Sequence, residues 1–228
     1  GSVSNKDAQR IGLGTYYYLI NMYPAAENTF QSVENSKNFL PNYWLGQISL
    51  MQKQMDQAVT FFQKAIVDAE FFSALYTLGD LSYLAGKLDD AEKYYLRALQ
   101  QKSDTGVLIK LGLLYEQKEN HQQVVSVYQR LINENPSLHI GYNQLAWYYT
   151  RNNMNLDEAL ALASDADKLV PGNSAVLDTI GWIYYQRGEY HKALEYAERA
   201  NQIVSENPTI LYHLGAVHKA LGNNEAAR

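Results

Sequence analysis

The 228-residue chain has no cysteine. That absence excludes disulfide frameworks, cysteine-held zinc, iron–sulfur clusters and thiol nucleophiles together, while leaving the compartment open. Proline is scarce at 5 residues and glycine moderate at 14, so the chain is not a low-complexity tract. With 46% hydrophobic and 19% charged residues it has the material for a core that needs no staples. Basic charge is also short. Lys and Arg number 19 against 24 Asp and Glu, a net charge of -5, which supplies no field to draw the chain onto nucleic acid or anionic lipid. Nucleic acid is therefore not an expected partner. No apolar run reaches the roughly 18 residues that signal a membrane span. The opening Gly1-Ser2 reads as an expression scar, so any leader or lipid anchor would have preceded residue 3. What the chain has in excess is tyrosine, 19 residues beside 6 Phe and 3 Trp.

A small residue, usually after a leucine or isoleucine, recurs at Gly14, Gly46, Gly79, Gly112, Ala146, Gly181 and Gly215, at spacings of 32 to 35. Twelve positions later stands a second small apolar residue: Ala26, Ala58, Ala91, Val124, Ala193 and Ala227. In the fifth unit it is Ala159, thirteen on. Glycine inside a helix costs about 1 kcal/mol relative to alanine, so seven small residues in helical-period segments imply close helix–helix approach. Leu75, Leu78, Gly79 and Ser82 share one face at about 100° per residue, as do Tyr142, Leu145, Ala146 and Tyr149. A second stripe follows in each unit, such as Leu88, Ala91, Tyr95 and Ala98, or Tyr190, Ala193, Ala197 and Ala200. Gly86, Gly188 and Gly222 stand where a left-handed helix C-cap is wanted. Asn207-Pro208 reads as an N-cap followed by proline at the first helical position. No run alternates with period two, so each unit is a helix–turn–helix and the fold is all-α.

Leu75-x-x-Leu78-Gly79 … Gly86-x-Leu88-x-x-Ala91-x-x-x-Tyr95-x-x-Ala98 and Ile180-Gly181-x-x-Tyr184-x-x-x-Gly188-x-Tyr190-x-x-Ala193 resemble the tetratricopeptide repeat. The resemblance implies an α-solenoid of antiparallel helix pairs, a single right-handed superhelix over residues 1–228 with repeats at about 7–38, 39–71, 72–104, 105–138, 139–173 and 174–207. A seventh, at 208–228, is cut off in its second helix, and the natural protein is expected to continue with a capping element. The chain departs from the pattern at Arg10 and Pro24 in the first unit, and at Asn152-Asn153-Met154-Asn155, which lengthens the fifth turn.

In this family the first helices line the ligand groove. The stripe three before and one, four and five after each small residue then holds Tyr18; Tyr43, Gln47 and Leu50; Tyr76, Asp80 and Tyr83; Ile109, Leu113 and Glu116; Asn143 and Trp147; Asp178, Trp182 and Tyr185; and Tyr212. Ile11, Thr15, Leu19, Met51, Leu84, Gln117, Thr150, Arg151, Gln186, Ala216 and Lys219 share it. Such an aromatic and aliphatic strip marks a binding surface for a protein or peptide segment. Family members that bind chaperones hold a terminal carboxylate with Lys, Asn and Arg on this stripe; the corresponding places here carry Ile, Tyr, Thr, Gln, Asp, Leu and Trp, so that clamp is not expected. Asp80, Glu116 and Asp178 favour a ligand with cationic groups beside apolar ones. Nine tyrosines (Tyr17, Tyr23, Tyr95, Tyr115, Tyr128, Tyr142, Tyr149, Tyr184 and Tyr190) read as core, six as groove, and Tyr16, Tyr94, Tyr148 and Tyr196 as neither.

Catalysis is not expected. His121, His139, His191, His213 and His218 have no metal-pair spacing and read as solvated or turn residues. Asp89-Asp90 and Asp157-Glu158 open second helices, where carboxylates meet the positive dipole end. No cofactor or metal is expected. The leading reading is a non-catalytic protein-binding scaffold. A second follows from Leu145-Ala146-Trp147-Tyr148-Tyr149, Leu156-Asp157-Glu158-Ala159-Leu160 and Leu177-Asp178-Thr179-Ile180-Gly181-Trp182, which resemble tandem repeats of bacterial envelope proteins, including some associated with exopolysaccharide export. That reading implies the periplasm or outer membrane rather than the cytoplasm, and glycan contact. A third is self-association through the groove or an open end.

Overall fold

The computed structural model describes residues 4–67 and 69–223; Ala227 and the second helix of the seventh repeat lie outside them. The described residues hold thirteen helices and no strand: α1 (Asn5–Leu19), α2 (Tyr23–Gln31), α3 (Leu40–Met51), α4 (Met55–Ala65), α5 (Phe72–Leu84), α6 (Leu88–Gln101), α7 (Thr105–Gln117), α8 (His121–Glu134), α9 (His139–Arg151), α10 (Leu156–Leu169), α11 (Ser174–Gln186), α12 (Tyr190–Ile203) and α13 (Pro208–Ala220). The odd-numbered helices begin within two residues of the expected repeat starts. Two compact units divide the chain, Gly1–Glu119 and Asn120–Arg228.

In the N-terminal unit α1 packs on α2, α3 on α4 and α5 on α6. The +12 residues Ala26, Ala58 and Ala91 are fully buried there. The reason for glycine at the marker position is a ring. A methyl added at Gly14 would lie 2.6 Å from Phe30, at Gly46 2.8 Å from Phe62, and at Gly79 2.4 Å from Tyr95. Each ring stands sixteen residues after its glycine on the second helix, and all three are fully buried. Phe30 also joins Ala26, Leu45, Ile48 and Phe61 in one cluster.

In the C-terminal unit α8 packs on α9, and the pairs α9–α10 and α11–α12 are each in close contact. Here α10 and α12 bury only alanines, Ala159, Ala163 and Ala166, then Ala193, Ala197 and Ala200. Around Gly181 the nearest atoms are the Ala197 backbone nitrogen and Tyr196 Cβ, both 3.3 Å from an added methyl, so backbones rather than a ring set the separation. Two tyrosine assignments are corrected. Tyr148 is buried and bonds the His121 side chain, whereas Tyr190, expected in the core, is exposed at the first position of α12.

Every turn inside a repeat turns left at one position, seven residues after the marker: Asn21, Lys53, Gly86, Glu119, Asn153, Gly188 and Gly222 all have φ between +51° and +81°. The three expected glycine C-caps are among them. In six of these turns the following amide closes a 6→1 bond at 2.8 to 2.9 Å, such as Lys87 N–H to the Ser82 carbonyl and Glu189 N–H to that of Tyr184. This is the Schellman arrangement, which supplies partners to the orphan carbonyls of a helix end. The lengthened fifth turn adds a second left-handed residue, Asn155, directly before α10. At other ends Ser4, Asp104, Asn120, Asn173 and Asn207 accept N-terminal amides, the last just before Pro208 as expected.

Candidate functional site

The two units use the expected stripe differently. In the N-terminal unit its tyrosines are largely taken up by packing. Tyr18 lies 4.5 Å from Trp44 and 5.6 Å from Tyr23 between ring centroids, and burial pushes its hydroxyl pKa up. Tyr43 stands edge-on to Trp44 and Phe71, and Tyr76 stacks on Phe72 at 6.1 Å. Burial, then the Asp80 carboxylate, raises the Tyr76 pKa. Asp80 is not a free acid awaiting a cation. Its Oδ1 accepts the Tyr95 hydroxyl at 2.6 Å and sits 3.2 Å from Lys110 Nζ. Gln47, Leu50, Tyr83, Ile109 and Glu116 are half-buried, and Ile11 is buried outright and belongs to the core. What this unit exposes on the stripe is mainly aliphatic, Leu19, Met51, Leu84 and, less fully, Leu113, with Gln117 beside them. A separate apolar hollow of about 400 Å³ lies between α4, α5 and α6, walled by Met55, Val59, Leu81 and Leu84.

In the C-terminal unit α11 touches both α9 and α13, and the stripe residues of these three helices converge. Asn143, Trp147 and Asp178 line one hollow of about 320 Å³, with Thr179 and Asn207 at its wall. Beyond it Trp182 lies flat on Tyr185, 4.4 Å apart with planes 6° from parallel, and 6.2 Å from Tyr212. Tyr212 is 69% exposed and, with Tyr185, walls a second hollow. Thr150 is withdrawn from the stripe: it is buried, with its hydroxyl on the Ala146 carbonyl.

The residue that organises this surface is His213, expected to be solvated but only 4% exposed. Its ring stacks 4.1 Å from Trp182 and lies 5.7 Å from Trp147. Its Nδ1 is 2.9 and 3.0 Å from the two oxygens of Asp178, so that nitrogen carries the proton and donates to the carboxylate. Asp178 is accordingly a buried acceptor rather than the solvated acid the sequence suggests. Asn143 Oδ1 is buried without a hydrogen-bond partner.

His213 exemplifies a position omitted from the expected stripe, two before the marker. The same position holds Trp44, against Tyr18, and Lys110, against Asp80. In each case it reaches back onto a stripe residue of the preceding repeat. The sequence signal was a large or charged side chain at a place otherwise held by Gly12, Thr77, Gln144 and Thr179. Among the described residues no group of three His, Asp or Glu side chains could hold a metal ion, and no helix is long and apolar enough to cross a membrane.

Stacked helix–turn–helix units with one recurrent left-handed turn define an α-solenoid repeat protein. Family models described as tetratricopeptide repeat match residues 42–68, 66–105 and 107–137, and one described as TPR repeat matches 181–222, together more than half of the sequence. The chain belongs to the tetratricopeptide repeat family. A TPR repeat-containing protein of Pseudomonas aeruginosa is 28% identical over 116 residues, which are 51% of this chain and 20% of that protein. The match thus spans about a fifth of that relative. Among solved structures, a tetratricopeptide repeat protein from Parabacteroides merdae superposes with a TM-score of 0.73 at 16% identity, covering 98% of this chain and 90% of that one. YrrB, described as a TPR protein with an unusual peptide-binding site, gives 0.63 at 20% identity, covering 79% and 94%. Yeast Tom70 gives 0.61 at 16% identity, covering 96% and 48%. At these identities the likeness establishes the fold. It is a fold of protein–protein interaction scaffolds.

Proposed function

We propose that the chain is a non-catalytic scaffold that captures an apolar or aromatic segment of a partner protein on the first-helix stripe of its C-terminal unit. The observation that carries this reading is the aromatic run Trp147–His213–Trp182–Tyr185/Tyr212, held rigid by ring stacking and by the Asp178–His213 bond, yet ending in a solvent-facing tyrosine. Rigid Trp and Tyr side chains lose little entropy on binding and dominate interface hot spots. The N-terminal unit adds the exposed aliphatic residues Leu19, Met51 and Leu84. The test is selection of binding segments from a randomised peptide library, followed by affinity measurements on Tyr185→Ala/Tyr212→Ala. Loss of about 10-fold or more, the scale of an aromatic hot spot, with an unchanged melting temperature is the expected result. Unaltered affinity of every selected segment would remove the assignment.

The parallel, stacked Trp182–Tyr185 pair favours a second reading, in which an outer ring face stacks on sugars of an exported glycan in the bacterial envelope. A glycan-binding measurement with the same double variant as control separates the two. Light scattering over a concentration series tests whether the segment captured belongs to a second copy of the chain.

A further inference from the structure

The hollow bounded by Asn143, Trp147 and Asp178 has a chemistry of its own. Among the residues lining it Asp178 is the single ionisable side chain, and neither lysine nor arginine contributes to its wall. Two donors at or near its wall are spent on local bonds, while Asn207, whose Oδ1 accepts the Thr209 and Ile210 amides, keeps its Nδ2 as a donor. His213 N–H is already spent on the Asp178 carboxylate, and the Thr179 hydroxyl proton on the Ala175 carbonyl. Asn143, which lines the hollow, has an Oδ1 that is buried and without a hydrogen-bond partner, a deficit that an N–H donor would relieve once a small turn of the side chain brings the oxygen to the hollow. A carboxylate taken out of water and given one imidazole partner still has lone pairs to spare. Trp147 is among the lining residues, and its indole is a flat π-system. At about 320 Å³ the hollow is at the low end of the roughly 300–1,000 Å³ of small-molecule sites, room for one long side chain rather than a whole cofactor.

We propose that this hollow is a binding site for a guanidinium group, the arginine side chain of a partner segment. A guanidinium is planar, permanently charged, donor-only and weakly hydrated. It can lie on an indole face while its N–H fork reaches two acceptors. An ammonium, a compact and strongly hydrated point charge, can use the carboxylate but gains less from the ring and the fork. The biological occupant rests on the partner-segment reading above, to which the inference adds a required residue beside the aromatic anchors. It also replaces the expected trio of solvated acids with a single buried one.

The experiment is an NMR titration of the whole chain, following the indole N–H resonances of Trp147 and Trp182 with N-acetyl-arginine amide, N-acetyl-citrulline amide and N-acetyl-lysine amide. Arginine is expected to shift the Trp147 resonance saturably and to bind several-fold tighter than the other two. Equal binding of citrulline would overturn the requirement for charge, equal binding of lysine would overturn the guanidinium, and no response would overturn the site. Asp178→Asn keeps an acceptor for the His213 N–H while removing the charge, and should weaken arginine about 10-fold, the scale of a charge-assisted hydrogen bond. Asn143→Asp adds a second carboxylate and should tighten arginine, a gain that misfolding cannot imitate; a loss of affinity there would count against the site. Peptides held through Tyr185 and Tyr212 without any arginine response would overturn this inference and leave the scaffold reading intact. An arginine response with segment binding indifferent to those tyrosines would do the reverse.

Discussion

The same helix pair is packed in two ways in the two units. In the N-terminal unit a ring from the second helix covers Gly14, Gly46 and Gly79, and these rings, Phe30, Phe62 and Tyr95, are fully buried. In α10 and α12 of the C-terminal unit the second helix presents alanine alone, and at Gly181 the backbones themselves meet. Where bulk sits on second helices, the tyrosines of the first helices serve as mortar against Trp44, Phe71 and Phe72. Where second helices are slim, the large rings stand on the other side of the first helices, as Trp147, Trp182, Tyr185 and Tyr212. The position of aromatic mass relative to the first helix therefore separates a unit built for packing from one with rings left to offer.

The strongest way to break this comparison is to remove a covering ring. Phe62→Ala should cost about 3–5 kcal/mol in urea unfolding, the range for emptying a buried aromatic site. Ala197→Gly, at the equivalent place of the slim helix, should cost about 1 kcal/mol, its helix propensity. Similar losses would mean the two packings are energetically alike. Next, Gly79→Ala drives a methyl into the Tyr95 ring and should cost about 1–3 kcal/mol. Gly181→Ala meets atoms at 3.3 Å and regains helix propensity, so its melting temperature should stay close to the parent's.

A pH titration sharpens the comparison further. Burial, then the hydrogen bond to Glu92, pushes Tyr115 from its ordinary 10.0 up to about 12. Tyr95 is raised as well, by burial and its bond to Asp80. The folded N-terminal unit keeps these protons where an unfolded chain gives them up. The Tyr115 contribution is complete below pH 10 and is lost as pH climbs from about 10 through 12, while that of Tyr95 is lost over a range reaching higher. Tyrosinate absorbance should rise together with loss of helix in that window, and Tyr115→Phe should blunt the loss. The smallest effect concerns the turns. Lys53→Gly relieves a left-handed non-glycine residue and should raise stability by up to about 1 kcal/mol, while Gly86→Ala should lower it by about 1 kcal/mol. Both are readable as shifts in the urea midpoint.

The repeat period, the helix starts, the fully buried +12 residues among those described and three of the left-handed turns were legible because period and residue size encode them directly. The turns at Lys53 and Glu119 were not, since neither side chain advertises a positive φ; only their place seven after the marker does. On the stripe, angular position groups residues on one face of each first helix but does not say how much of each its neighbours cover, as the burial of Ile11 and Thr150 shows. Part of that cover comes from position −2, whose residues lie off the chosen stripe in their own helix and act on the preceding one, and part from Phe71 and Phe72 at the start of α5. Asp80 and Asp178 look alike in sequence, yet one is met by Lys110 and the other by His213. Tyr148 and Tyr190 were misplaced for a related reason. A helix angle places a residue on a face, whereas contacts at the helix ends decide whether that face is roofed.

The backward-reaching residue at −2 also bears on the order of the repeats. Trp44 fits a tyrosine before it, Lys110 an aspartate, His213 another aspartate beside a tryptophan. Each junction is thus a lock cut for its own neighbour. A chain in which two repeats were exchanged would keep every helix and every turn, but would set an imidazole against a tyrosine and an indole against a carboxylate. At these three junctions the succession of modules is written into the side chains, so each of the three pairs reads in one direction only.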